Sequence, residues 1–174
     1  MGVLRKGYVQ VYTGNGKGKT TAAFGLALRA SGAGLKVYIQ QFVKKKDSGE
    51  ITALRNIDNI VVGRCGRGPF IIGKAQAADI KLANAGLAKA KKKILSGKYD
   101  LVILDEINIA LKLGLVKCDE VLDIIKCRSA SVELVLTGRN CPKKIKNAAD
   151  LITDMREVRH PYRSGVIARR GIEY

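Results

Sequence analysis

The sequence contains no tryptophan, a single histidine and only four cysteines, and these shortages exclude several kinds of site. The cysteines, Cys65, Cys118, Cys127 and Cys141, form no CxxC pair, and His160 is the one histidine that could join them. A zinc site needs a compact set of such ligands, so we expect none. We interpret the four thiols as free, which fits a reducing compartment.

Long apolar runs are also missing. No stretch approaches the roughly 18 consecutive apolar residues of a membrane-spanning helix. The opening residues, MGVLRKGYVQVY, lack the apolar stretch and cleavage site of a signal peptide. We therefore expect a soluble, cytoplasmic protein without a membrane partner. A length of 174 residues, 47% of them hydrophobic, predicts one globular domain over residues 1–174.

Acidic residues are scarce relative to basic ones. The 15 Asp and Glu against 32 Lys and Arg give a formal net charge of +17, which attracts anions and would suit nucleic-acid phosphates. Much of the excess lies in lysine runs at 44–46, 91–93 and 143–144, and such runs usually face solvent. Only three phenylalanines are present to stack bases, so we do not expect nucleic acid to be the main substrate.

Short apolar runs alternate with segments of helical periodicity along most of the chain. This pattern predicts strands at 8–12, 35–42, 60–62, 100–106 and 132–138, with a weaker strand at 151–158. It predicts helices up to about residue 30, over 75–95 and over 116–126, with a weaker helix between the basic loop 44–48 and the strand at 60–62. It also predicts a loop over 63–73. In the long helix, a stripe of Ile80, Ala83, Leu87, Ala90 and Ile94 should face the core.

Continuously apolar strands are typical of a parallel sheet that is buried on both faces. The alternation of strands and helices therefore predicts an α/β fold with a mostly parallel central sheet and helices on both faces.

The strongest local signal is TGNGKGKTT, residues 13–21, which lies between a predicted strand and a predicted helix. That position is the one required of the phosphate-binding P-loop, GxxxxGK[ST]. We therefore predict a P-loop NTPase fold of the RecA-like kind. Thr13 stands where the general pattern has its first glycine. Glycines at 14, 16 and 18 would let successive N–H groups point inward at phosphate oxygens, with the helix N-terminus behind them.

Three side chains of this loop have predicted roles. Lys19 would place its charge on the phosphates, Thr20 would offer its hydroxyl to Mg²⁺, and Lys17 would add a second cation. Asn15 and Thr21 complete the predicted nucleotide contacts.

A second signal is the apolar strand LVILDE, residues 101–106, which ends in two carboxylates. Such a strand commonly faces a P-loop and holds the magnesium, directly or through water. Asp105 and Glu106 are thus the predicted metal residues together with Thr20. A helix-capping or surface role remains the alternative for Glu106.

Four segments together resemble the P-loop type of ATP:corrinoid adenosyltransferase, also called cob(I)yrinic acid a,c-diamide adenosyltransferase. The segments are GNGKGKTTAAFGLALRA (14–30), VILDEINIALKLGL (102–115), LVLTGR (134–139) and GIEY (171–174). They keep the family's order over nearly the whole chain.

The resemblance implies that the Co(I) of a corrinoid attacks the 5′ carbon of ATP and expels triphosphate. It implies that the nucleotide lies in the reverse sense to that of ordinary P-loop enzymes. It also implies that Mg²⁺ is the cofactor, that a reductase supplies the electron and that the protein is a homodimer. Because the cobalt is the nucleophile, the protein has to position the substrates and neutralise the departing triphosphate. Lys19, Thr20 and Glu106 would serve that catalysis.

Two further residues are predicted on the ligand side. Arg139 follows a strand end, where ligands gather in open α/β sheets, and would reach a phosphate or the corrin rim. The family commonly carries GFTWE after the third strand, whereas this chain has GRGPFIIGK at 66–74. Phe70 would press against the lower face of the corrin, or else pack into the core.

Two other enzyme classes would also use a P-loop. A RecA-like ATPase stimulated by nucleic acid would explain the charge as well, and a small-molecule kinase would release ADP. Against the ATPase, no second motor domain or nucleic-acid motif is recognisable. Triphosphate as the product would distinguish the adenosyltransferase from both.

Overall fold

The computed structural model describes residues 4–44, 48–68 and 75–173, which fold around a six-stranded sheet. Every neighbouring pair of strands is parallel, and the order across the sheet is β3-β2-β4-β5-β1-β6. The strands are β1 (Val9–Thr13), β2 (Val37–Phe42), β3 (Ile60–Cys65), β4 (Leu101–Asp105), β5 (Glu133–Thr137) and β6 (Leu151–Asp154). The predicted α/β class and parallel sheet are confirmed.

Helices cover both faces of this sheet. They are α1 (Lys19–Gly32), α2 (Gly49–Leu54), α3 (Ala77–Leu95), α4 (Ile107–Lys112), α5 (Cys118–Cys127) and α6 (Lys143–Asn147), followed by a 3-10 turn at Pro161–Ser164. Side chains of a strand alternate between the faces. Ile103 of β4 therefore packs in the apolar cluster with Phe24 of α1, whereas Val102 and Leu104 join the cluster with Leu87 of α3.

The continuous apolar runs correspond to the most buried strands. Every residue of β2 and of β4 is buried, as expected for central strands of a parallel sheet with helices on both faces. The edge strand β6 differs, because all four of its residues are exposed.

Several details of the fold differ from the sequence prediction. Strand β6 ends at Asp154, whereas the sequence predicted a strand through residue 158. Helices α4 and α6 were not predicted, since each spans less than two turns and shows too little periodicity. Strand β3 continues through Gly63 to Cys65 because all six of its residues pair with β2. Ile80 is 39% exposed, since the buried stripe of α3 begins only at Ala83.

The parallel arrangement brings five strand ends to one edge. Phe42, Asp105, Thr137, Thr13 and Asp154 end β2, β4, β5, β1 and β6, which are consecutive neighbours in the sheet. Ligands of open α/β sheets bind at this edge. Among the described residues, no helix is long and apolar enough to span a membrane.

Candidate nucleotide and metal site

The turn between β1 and α1 has the backbone of a phosphate-binding loop. Gly14 and Gly18 adopt left-handed φ angles of 96° and 111°, which strain any residue with a β-carbon. Gly18 immediately precedes the first turn of α1, so the N-terminal N–H groups of that helix open onto the loop. This arrangement favours an anion at the loop.

Lys19 lies inside this loop and is only 8% exposed. Its Nζ donates a hydrogen bond of 2.6 Å to the Gly16 carbonyl. Burial lowers the pKa of Lys19, and the nearby charge of Arg139 lowers it further, while Glu106 and Asp154 act in the opposite direction. A buried ammonium of this kind is stabilised by a bound anion, and triphosphate would supply one.

The loop also packs against the residues that follow β6. The Gly16 N–H donates to the Met155 carbonyl at 2.6 Å, and the Met155 N–H donates to the Thr13 carbonyl at 2.9 Å. A β-carbon on Gly16 would lie 2.7 Å from Met155 O and 2.8 Å from Arg156 O. The Gly16 N–H thus pairs with Met155, whereas the sequence suggested that it faces phosphate.

Asp105, at the end of β4, is completely buried and receives three hydrogen bonds. The hydroxyls of Thr20 and Thr137 donate to Oδ1 at 2.9 and 2.7 Å, and the Gln41 amide donates to Oδ2 at 2.9 Å. The P-loop is thereby joined to β2, β4 and β5. Sequence reasoning missed Gln41 and Thr137, because their contact with Asp105 depends on which strands are neighbours.

Glu106 follows in a left-handed conformation, with φ of 60°, just before α4. Its N–H donates to the Thr137 hydroxyl at 2.9 Å, and a β-carbon on Gly138 would lie 3.2 Å from its Oε2. Burial raises the pKa of Glu106, as does the neighbouring Asp105, while Lys44 and Lys19 lower it. The carboxylate is therefore costly to keep charged unless a cation binds beside it.

Lys44 is a cation of this site that the sequence did not reveal. Its Nζ lies 3.9 Å from both Asp105 Oδ2 and Glu106 Oε1. Val43 sets this position with a φ of 66°, rare for a β-branched residue, in a turn where the Lys44 N–H donates to the Phe42 carbonyl. The sequence predicts that the lysine run 44–46 faces solvent. Lys44 instead lies beside the carboxylates of Asp105 and Glu106.

The oxygen atoms here fit a magnesium ion. Among residues 4–44, 48–68 and 75–173, no three His, Cys, Asp or Glu side chains cluster as a metal site. A P-loop magnesium needs fewer, because phosphates and waters complete its shell. The Thr20 hydroxyl donates a hydrogen bond to Asp105, so the lone pairs of its oxygen stay free for a metal ion. Glu106 adds a second carboxylate. The buried Gln41 Oε1 has no hydrogen-bond partner in the described structure and is available to a water molecule.

The remaining predicted residues lie at or near the same edge. Arg139 is exposed after Gly138, and Asn15 and Thr21 are exposed at the loop and on α1. Next to the loop lies a cavity of about 420 Å³, lined by Asn15, Asn140, Asp154, Arg156 and others. Phe70 lies outside the described residues. The four cysteines are free, with Cys65 and Cys141 buried.

The chain is similar to known proteins over most of its length. The model of the family "ATP:corrinoid adenosyltransferase BtuR/CobO/CobP" matches residues 5–174. A protein of Pseudomonas aeruginosa named corrinoid adenosyltransferase is 37% identical over 97% of this chain and 84% of its own length. Corrinoid adenosyltransferase CobA of Salmonella typhimurium and the corrinoid adenosyltransferase of Escherichia coli are each 32% identical over 97% of this chain and 86% of their own.

Proposed function

Since this chain belongs to the ATP:corrinoid adenosyltransferase family, we propose that it moves the 5′-deoxyadenosyl group of ATP onto the Co(I) of a corrinoid. The reaction releases triphosphate and serves adenosylcobalamin biosynthesis or salvage. The single observation that carries this proposal for the site is the hydrogen bond from Thr20 to Asp105, which joins the P-loop to the acidic strand end.

The P-loop binds the triphosphate of ATP in this proposal. Gly14, Asn15, Gly16, Gly18 and Thr21 shape the loop and its contacts. Lys17 and Lys19 supply positive charge, and the buried Lys19 offers the charge where water screens it least. The charge that develops on triphosphate as it leaves is stabilised by these fixed cations.

Magnesium is the proposed cofactor, held by Thr20, Asp105 and Glu106. When bound, it withdraws charge from the phosphate oxygens and makes triphosphate a better leaving group. Asp105 is oriented by the Thr137 hydroxyl and the Gln41 amide, so the position of its carboxylate is set before the ion arrives. Lys44, with its Nζ 3.9 Å from an oxygen of each of the two carboxylates, offsets part of their charge.

The chemical step forms one bond and breaks one. The electron pair of Co(I) forms the cobalt–carbon bond at C5′, the C5′–O bond breaks, and the leaving triphosphate keeps that electron pair. The cobalt is thereby oxidised to Co(III), and no side chain acts as the nucleophile. The protein contributes alignment of the two substrates and charge for the leaving group.

The corrinoid lies at the exposed side of this edge in our proposal. Arg139 follows Gly138 there and contacts a phosphate or the polar rim of the corrin. Its positive charge acts to lower the pKa of both Lys19 and Glu106. Phe70 keeps its proposed role against the lower corrin face.

The decisive experiment is an anaerobic incubation with Mg-ATP and chemically reduced cob(I)alamin. Absorbance follows the cobalt–carbon product, and the phosphate product is identified directly. We expect adenosylcobalamin and triphosphate in equal amounts, and loss of both in Lys19→Ala. A failure with both cobalamin and a corrinoid precursor, with ADP released instead, would favour a kinase or, if nucleic acid stimulates the release, a motor ATPase.

We further propose a cytoplasmic homodimer that receives electrons from a reductase. The exposed apolar side chains of the edge strand, Leu151 at 44% and Ile152 at 46%, support a partner surface. The charge of +17 suits an acidic reductase. Light scattering should give twice the monomer mass of 18.8 kDa, and a monomer at micromolar concentration would contradict the dimer.

A further inference from the structure

Lys17 of the P-loop is bound by a segment from the far end of the sequence. Its Nζ donates to the Ile172 carbonyl at 2.9 Å and to Glu173 Oε1 at 3.0 Å. The carboxylate is 156 residues away in sequence. Glu173 belongs to the GIEY segment, residues 171–174. The P-loop and metal site described above assign no function to that segment.

Glu173 is held in place by Arg169. The Arg169 backbone N–H and its Nε donate to Oε2 at 2.7 and 3.3 Å, and a terminal nitrogen of its guanidinium donates to Oε1 at 3.1 Å. These bonds, with the one from Lys17, lower the pKa of Glu173 to about 2. Gly171, with a φ of 77°, makes the turn that allows this contact. The carboxylate is thus ionised and oriented by its own turn.

The contact with Lys17 ties an otherwise exposed segment to the phosphate loop. All described residues from 165 to 173 are exposed. The other backbone hydrogen bonds described for them stay within residues 160–173, such as Val166 N–H to the Pro161 carbonyl. Lys17 therefore donates to two acceptors of this segment. These are the hydrogen bonds described between residues 165–173 and the part of the protein before residue 160.

We propose that Glu173 is a positioning residue for the triphosphate site. A lysine ammonium has three N–H donors. Glu173 and the Ile172 carbonyl take two of them and hold the side chain of Lys17 in one place, which leaves the third for a phosphate oxygen. This inference rests on the proposed function in one respect, namely that the triphosphate of ATP lies in the P-loop.

A role for Glu173 as a competitor of phosphate predicts the opposite change in ATP affinity. If the carboxylate merely competed with phosphate for Lys17, its removal would tighten the binding of ATP. If it positions Lys17, its removal weakens binding, because the free side chain then has to be ordered when the nucleotide binds. The pair is partly exposed, at 47% and 22% for the two side chains, so the effect should be modest.

A double-mutant cycle tests the role. Calorimetry would measure Mg-ATP and inorganic triphosphate binding to the wild type, Glu173→Ala, Lys17→Met and the double variant. We expect Glu173→Ala to weaken both ligands roughly two- to fivefold, and to have no effect once Lys17 is replaced. The value of kcat/KM for ATP should fall by at least the same factor, because Lys17 is proposed to act on both the bound and the departing triphosphate. Glu173→Gln should restore part of the loss because its amide oxygen still accepts from Lys17.

The matched control is Asp119→Ala, which breaks an exposed pair with Lys144 of 3.5 Å. It should leave ATP binding unchanged. Tighter or unchanged binding in Glu173→Ala, or an equal loss with Lys17 already replaced, would overturn the positioning role alone. A wild-type protein that binds no Mg-ATP would overturn the proposed function as well.

Discussion

Asp105 illustrates how a single residue depends on its surroundings. It is completely buried, and a buried carboxylate is tolerated only where hydrogen bonds or a cation compensate for the loss of water. Thr20, Thr137 and Gln41 provide the hydrogen bonds. The same contacts that keep the carboxylate stable also orient it toward the P-loop.

Replacing Asp105 with Asn should therefore reduce stability as well as activity. The new amide would place an N–H₂ group against the Gln41 amide or the two hydroxyls, and an unsatisfied buried group costs about 1–3 kcal/mol. We expect the Tm of the ligand-free protein to fall by roughly 2–10 °C. Thermal unfolding of Asp105→Asn beside Asp119→Asn, a surface control, checks this. An unchanged Tm would show that the network does not stabilise the fold.

Glu106 should give the ligand-free protein a specific pH dependence. Its pKa lies above the ordinary value of 4.5, so the native state binds this proton more tightly than the unfolded state. The contribution of Glu106 to stability is thus present below its unfolded pKa and is lost as the pH rises through the folded value.

Glu106→Gln removes this titration. We expect its free energy of unfolding, relative to wild type, to increase as the pH rises from about 4 into the neutral range. Denaturant unfolding of both proteins at each pH, without nucleotide or metal, measures the difference. A difference that stays constant with pH would contradict the raised pKa.

At the scale of elements, the ends of three neighbouring strands carry unusual backbone. The non-glycine residues with positive φ in the described chain are Val43, Glu106 and Asn140, which follow β2, β4 and β5. Such conformations persist only where the surrounding structure imposes them, and they concentrate at functional sites. Here they turn the chain at the edge where the P-loop lies.

Two glycines of the β1–α1 unit allow a matched comparison. A β-carbon on Gly16 would meet backbone oxygens of Met155 and Arg156, whereas one on Gly25 of α1 would meet nothing within 4 Å. Gly16→Ala should thus shift the loop and weaken Mg-ATP binding tenfold or more, at about 1.4 kcal/mol per tenfold. Gly25→Ala should leave binding unchanged and stabilise the protein by up to about 1 kcal/mol.

Calorimetry and thermal unfolding of the two variants separate these effects. Equal ATP affinity in Gly16→Ala and the wild type would show that the loop tolerates the shift.

At the scale of the whole molecule, positive charge is the dominant feature. The net charge of +17 includes Lys17, Lys19, Lys44 and Arg139, which lie at the proposed nucleotide site. A field of this sign attracts ATP and an acidic protein partner alike. Salt screens the exposed charges over about 8–10 Å at physiological ionic strength, and it screens buried ones much less.

The affinity for Mg-ATP should therefore fall as salt increases. We expect Kd to rise several-fold between about 50 and 300 mM NaCl, because the exposed cations are screened over this range. The slope of log Kd against log salt concentration should be smaller in Lys17→Met, which lacks one exposed cation, than in the wild type. Lys112→Met, which alters a lysine of α4, should keep the wild-type slope. Equal slopes in all three proteins would mean that Lys17 does not contribute to this attraction.

Local patterns account for what the sequence predicted. The P-loop, the acidic end of β4 and the buried parallel strands each depend on residues within about twenty positions of one another, and short-range chemistry determines them. The fold class follows from their alternation along the chain. Helices α4 and α6 were missed because they are too short to show a clear period.

Tertiary structure alone decided how these parts meet. Gln41 contacts Asp105 because β2 and β4 are neighbours with Gln41 opposite Asp105 in the register. Glu173 reaches Lys17 across 156 positions of sequence. The sequence by itself determined which segments carry charge and which are buried. The order of the strands determined which charges lie together, because packing of the whole sheet selects those contacts and no local pattern encodes them.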